Sequence, residues 1–117
     1  MESILTSIKL LLGVTEEYEH YDPQIIMHIN SVFMILNQLG VGPADGFRIE
    51  DKTTTWNDYF PETKQLTYES VKSYVYAKVK LIFDPPANSS HTQALEKTAS
   101  EFEWRLNFAA ETNQPSE

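Results

Sequence analysis

The stretch Val71-Lys72-Ser73-Tyr74-Val75-Tyr76-Ala77-Lys78-Val79-Lys80-Leu81-Ile82-Phe83-Asp84-Pro85-Pro86 can be read as strand or as helix, and the choice decides the fold class. Its β-branched and aromatic residues alternate in places with polar ones, as a strand would. Against this, Val71, Val75, Val79 and Ile82 recur at spacings of four, four and three, with Tyr74, Lys78 and Leu81 beside them. That spacing keeps one helical face apolar for over three turns, and no hairpin partner follows. The stretch predicts a helix over 67–83. Asp84-Pro85-Pro86 forms the turn that ends it, because a residue before proline avoids helical dihedrals.

Working outward, three further segments carry helical periodicity. Residues 2–12 place Ile4, Ile8, Leu11 and Leu12 on one face, with Gly13 as the stop. Residues 23–39 place Ile25, Ile29, Val32, Leu36 and Leu39 on another, widened by Ile26 and Phe33. Asp22 is the expected cap there, Pro23 suits a first helical position, and Gly40 ends the segment. Residues 91–110 carry Ala94, Leu95, Thr98, Phe102, Leu106 and Ala109 as a stripe, with Ser90 and Gln93 at capping-box spacing. Trp104 and Phe108 fall on a different face. The expectation is an all-α fold, a small four-helix bundle-like domain over residues 1–110. Ile29, Val32, Leu36, Val71, Val75, Val79, Leu95, Phe102 and Leu106 would share its core, and 111–117 would form a flexible polar tail.

Residues 41–66 form a long connection between the second and third helices. Gly42, Pro43 and Gly46 break regular structure, and Thr55 could cap a single turn within 53–60. Connections this long are unusual in small domains and are often functional. The aromatics Phe47, Trp56, Tyr59 and Phe60 must pack on something, either the chain's own core or a neighbour.

Composition excludes several classes. The 117 residues are 41% hydrophobic, enough for one folded domain rather than a disordered chain. The absence of cysteine removes disulfides, thiolate metal sites and cysteine nucleophiles. Seventeen acidic against nine basic residues give a net charge of −8, a poor basis for gripping nucleic acid. His20, His28 and His91 are scattered without metal-ligand spacing. The glycines make no phosphate loop, and Glu101 and Glu103 stand two apart on a helix, so they diverge. No enzyme, cofactor or metal site is expected, and Leu10 to Leu12 is too short an apolar run for a signal peptide or membrane span.

More specific than any of these patterns is the run from Tyr74 to Pro86 followed by Ser89-Ser90 and then Glu101-Phe102-Glu103-Trp104-Arg105-Leu106. It resembles the tailed-bacteriophage head–tail connector proteins, small adaptors (head completion proteins) from phages of Gram-positive bacteria. Thr55-Trp56-Asn57-Asp58-Tyr59 resembles the middle segment of the same family. The short first helix, acidic linker and Asp22-led second helix also fit, so the resemblance covers 4–110. It implies a helical structural protein of the virion, assembled in the bacterial host cytoplasm. Its subunits would form a ring of about twelve copies by head-to-tail contacts. The ring would dock on the portal protein, meet a downstream head completion or tail protein, and let DNA pass without sequence-specific binding. The family has no catalytic residues to carry over, and no membrane partner is implied.

A ring needs apolar surface beyond the core. Trp56, Tyr59, Trp104 and Phe108 are the candidate interface residues, because large aromatics dominate buried interfaces. The alternative is a small helical interaction or regulatory module of a phage or prophage that forms no ring. A helix-turn-helix DNA binder is weaker still. Lys72 and Lys80 are eight residues apart with Lys78 off their line, and solvated positions suit them better than a DNA face.

Overall fold

The computed structural model describes residues 2–59 and 65–112. Helices run over Ile4–Leu12 (α1), Asp22–Gln38 (α2), Trp56–Tyr59 (α3), Gln65–Phe83 (α4) and Ser89–Thr112 (α5). Among the described residues there is no strand. A lone antiparallel bridge joins Ser3 to Thr55. The helical reading of 71–83 holds, as does the all-α class.

Helix ends follow local chemistry. Ser3 caps α1, its Oγ accepting the Thr6 N–H at 3.2 Å. At the end of α2, Gly40 takes a φ of 84° and lets Val41 N–H reach back to the Leu36 carbonyl at 2.9 Å. This closes the helix and turns Val41 inward. Two expected caps differ. Asn88 rather than Ser90 caps α5, its Oδ1 accepting from the N–H groups of Ser90 and His91. Asp22 begins α2 but caps nothing, because the ammonium of Lys9 holds its carboxylate at 2.8 Å.

Helix α4 is the centre of the domain. It packs most extensively against α5, then against α2 and α1, while α1 and α2 also touch each other. Val71, Tyr74, Val75, Ala77 and Val79 are all buried on it, more than a one-sided stripe would bury. The core joins these to Ile4, Leu5, Ile8 and Leu12 of α1, to Ile25, Ile29, Val32, Phe33 and Leu36 of α2, and to Leu106 of α5. Of the nine expected core residues, seven are buried and Phe102 packs half-buried against them. Leu95 is half-buried outside the main cluster.

Stripe assignments on three helices shift by a fraction of a turn. Leu11 is exposed, and Leu5 takes the buried position on α1. Ile82 is exposed near the end of α4, where Phe83 instead turns in, against Tyr21 at 5.3 Å. Ala94 and Thr98 are exposed on α5, and Ala99 is buried. A helix with one main neighbour buries a narrow stripe, here Leu95, Ala99, Phe102 and Leu106.

Candidate interaction surfaces

The long connection is built onto α1 and α2. The Asn30 side chain grips the backbone of Ile49 twice, donating to its carbonyl at 2.9 Å and accepting its N–H at 2.7 Å. The Asn37 amide donates to the Pro43 carbonyl at 3.1 Å. Ile4 N–H donates to the Thr54 carbonyl at 3.0 Å and Trp56 N–H to the Glu2 carbonyl at 3.2 Å. Thr55 stands just before α3, but the side-chain cap comes from Asp58, whose carboxylate accepts the Thr55 N–H at 2.8 Å.

These ties deliver the aromatics inward. Trp56 and Tyr59 are buried and cluster with Phe33 and Phe47, with ring centroids between 4.7 and 6.2 Å apart. Trp56 and Tyr59 therefore do not stand on a contact surface as expected. The connection folds back on its own subunit because an indole and a phenol bury more area there than solvent exposure allows. Phe60 lies outside the described residues. Gly42 makes room for the packing: its φ is +89°, and a Cβ there would meet the Tyr59 phenol oxygen at 2.5 Å.

A second built feature escaped the sequence reading. Lys9 is only 2% exposed, and its Nζ donates to the Glu16 carbonyl at 3.0 Å and the Tyr18 carbonyl at 2.8 Å as well as pairing with Asp22. It clamps the acidic linker between α1 and α2. A lone lysine between apolar neighbours in α1 is the only sequence signal for this, and snorkelling would explain it equally well.

The Asp84-Pro85-Pro86 turn is also tied at both ends. Lys80 pairs with Asp84 at 2.8 Å, and Thr92 of α5 donates to the Pro86 carbonyl at 3.2 Å. Further along, the Tyr74 hydroxyl donates to Glu103 at 2.7 Å, so α4 and α5 are joined by a polar contact beside the core. Burial and the neighbouring carboxylate both push the Tyr74 phenol above its ordinary range. Burial does the same to Tyr59.

Among the described residues, exposed apolar side chains stand together on α5, α2 and α1, apart from Ile82 on α4 and Tyr18 and Tyr21 in the acidic linker. On α5, Trp104 and Phe108 are 67% and 53% exposed and stack on each other at 5.5 Å with an interplanar angle of 13°. Lys97, Glu101 and Arg105 surround Trp104. On α2, Met27 and Met34 line a groove of about 870 Å³ together with Phe47, Asp45 and Arg48 of the connection. On α1, Leu10 and Leu11 are exposed. Met27 and Met34 stand seven apart, on the face of α2 away from Ile25 and Ile29. Chemistry is not the theme of these surfaces. His20 stacks edge-on with Tyr21 at 5.0 Å, His28 lies 6.4 Å from Phe83, and His91 is exposed in the first turn of α5. Among the described residues no cluster of histidine and carboxylate could hold a metal, and no helix is long and apolar enough to cross a membrane.

No curated protein and no solved structure matches the chain. One protein-family model does, described as phage connector protein, and it spans residues 4–113, from the start of α1 past the end of α5. Matched over nearly its whole length, this helical chain belongs to the phage connector protein family.

Proposed function

We propose that the protein is one subunit of a ring at the head–tail junction of a tailed-phage virion, docked on the portal protein and meeting a head completion or tail protein on its other side. DNA passes through the ring without sequence-specific binding. The observation that carries this reading is the stacked Trp104–Phe108 pair, left exposed on a member of the connector family. Two large aromatics held in water are costly unless a neighbouring subunit covers them. The net charge of −8 supports free passage of DNA, since a cationic lining would hold the phosphates. The protein works as structure rather than as an enzyme, through contacts that close on rotation.

Antibody labelling of intact phage particles tests the placement. Gold label at the neck between head and tail is the expected result. Label along the tail or within the capsid shell, or protein found only in the lysate, would contradict it.

A further inference from the structure

The connector reading leaves open what covers the aromatic pair on α5. We propose that it seats in the α2 groove of the next copy of this chain, so that each subunit offers a knob on one flank and a socket on the other. The inference rests on the ring reading and adds its contact.

The fold places knob and socket apart. Knob and socket share no residue: the first stands on α5, and the second is lined by α2 and the connection. A contact between two different faces of identical chains is heterologous, and heterologous contacts build rings or filaments rather than two-fold dimers.

The surfaces also match in chemistry. The knob is a flat pair of rings, Trp104 and Phe108. The socket is a groove whose apolar lining includes Met27, Met34 and Phe47. Methionine is flexible and polarisable and packs well against aromatic rings. Met27 and Met34 are 58% and 64% exposed, so little among the described residues covers the groove.

Charges border both surfaces. Beside the knob stand Lys97, Glu101 and Arg105, and beside the socket Asp45 and Arg48. Within the subunit none of these makes an ion pair among the described residues. Seating the knob would set Arg105 against Asp45 and Glu101 against Arg48, so that these four charges pair across the contact. Two aromatics and two methionines bury less than the roughly 1,200–2,000 Å² of a stable free complex. The contact should therefore be weak between free subunits and firm where the portal holds copies side by side.

The lack of native cysteine makes the test clean. Ser31 lines the socket and Ser100 lies beside Trp104, both exposed and small. The full chain carrying Ser31→Cys and Ser100→Cys together is assembled on portal particles and treated with a short bis-thiol cross-linker. A ladder of covalent oligomers is expected. An equal mixture of the two single variants should give dimers, and neither single variant alone should give any. Asp45→Arg should cut the cross-linking yield severalfold, and Arg105→Asp in the same chain should restore it. Portal-bound rings that form without cross-links would overturn the knob-and-socket contact and leave the ring reading standing. Dimers from Ser100→Cys alone would overturn it in favour of knob against knob. Failure of Arg105→Asp to restore the yield would overturn the charge pairing. A chain that neither binds portal nor cross-links would overturn both readings.

Discussion

The indole N–H of Trp56 donates to the Ser7 hydroxyl at 2.8 Å, across 49 residues of sequence. Ser7 in turn donates to the Ile4 carbonyl at 3.0 Å, so the long connection is locked to the first helix through a buried relay. Both residues are buried. Trp56→Phe keeps much of the packing and strands no charge, and it should cost about 1–2 kcal/mol. Trp56→Ala also opens a large cavity and should cost about 3–5 kcal/mol. Chemical denaturation of the two variants checks the order, and equal costs would show that the hydrogen bond, not the packing, dominates.

Removing Lys9 tests the clamp on the acidic linker. Lys9→Met keeps the stem but leaves the Asp22 carboxylate and the carbonyls of Glu16 and Tyr18 without their donor. The expected cost is about 2–3 kcal/mol, below that of a fully buried pair because the Asp22 side chain keeps 19% of its exposure. The double variant Lys9→Met with Asp22→Asn should recover part of it, since no carboxylate is then left uncompensated. Thermal melts of the single and double variants measure the difference.

How much of this was legible beforehand follows from what periodicity encodes. The spacing of Val71, Val75 and Val79, and of Ile25, Ile29, Val32 and Leu36, reports a face buried against neighbours, and each of these residues is buried. Periodicity says less where a helix runs past its neighbours, which is why Ile82 and Ala94 turned out exposed. It says nothing about the connection, whose path is set by Asn30 on Ile49 and by Trp56 on Ser7 rather than by any repeat. Trp56 and Trp104 look alike in sequence. One lies under a loop tied down by hydrogen bonds and the other on the open side of a helix with one main neighbour.

Stability should fall at alkaline pH through Tyr59 and Tyr74. Both phenols are raised in the folded chain, Tyr59 by burial and Tyr74 by burial and by Glu103. In the unfolded chain they ionise near the ordinary value of about 10. Below that pH both states keep the protons and the contribution is complete. Above it the unfolded state loses its protons first, so stability drops as pH rises, by at most about 1.4 kcal/mol per pH unit for each phenol. Tyr74→Phe should make the decline shallower. Urea midpoints across the alkaline range check it, and an unchanged slope would contradict the assignment.

The turn between α4 and α5 should matter more for assembly than for folding. Pro85 and Pro86 limit the backbone dihedrals that aim α5, and α5 carries Trp104 and Phe108. Replacing both prolines by alanine should cost no more than about 1 kcal/mol, chiefly by loosening the unfolded and turn ensembles. It should nonetheless lower the fraction of portal particles that acquire a ring. Undiminished docking would show that the angle is held by Tyr74–Glu103 and the core alone.

If Trp104 serves a neighbour and not its own subunit, electron microscopy of purified portal mixed with the wild-type chain or with Trp104→Ala will separate the two. Because Trp104 is 67% exposed, its loss should move the melting temperature of the free protein little. The wild type should add a closed ring of roughly a dozen subunits beneath the portal, and the variant should leave the portal bare. A Trp104→Ala chain that builds the same ring as the wild type, or a wild-type chain that never joins the portal, would contradict the account.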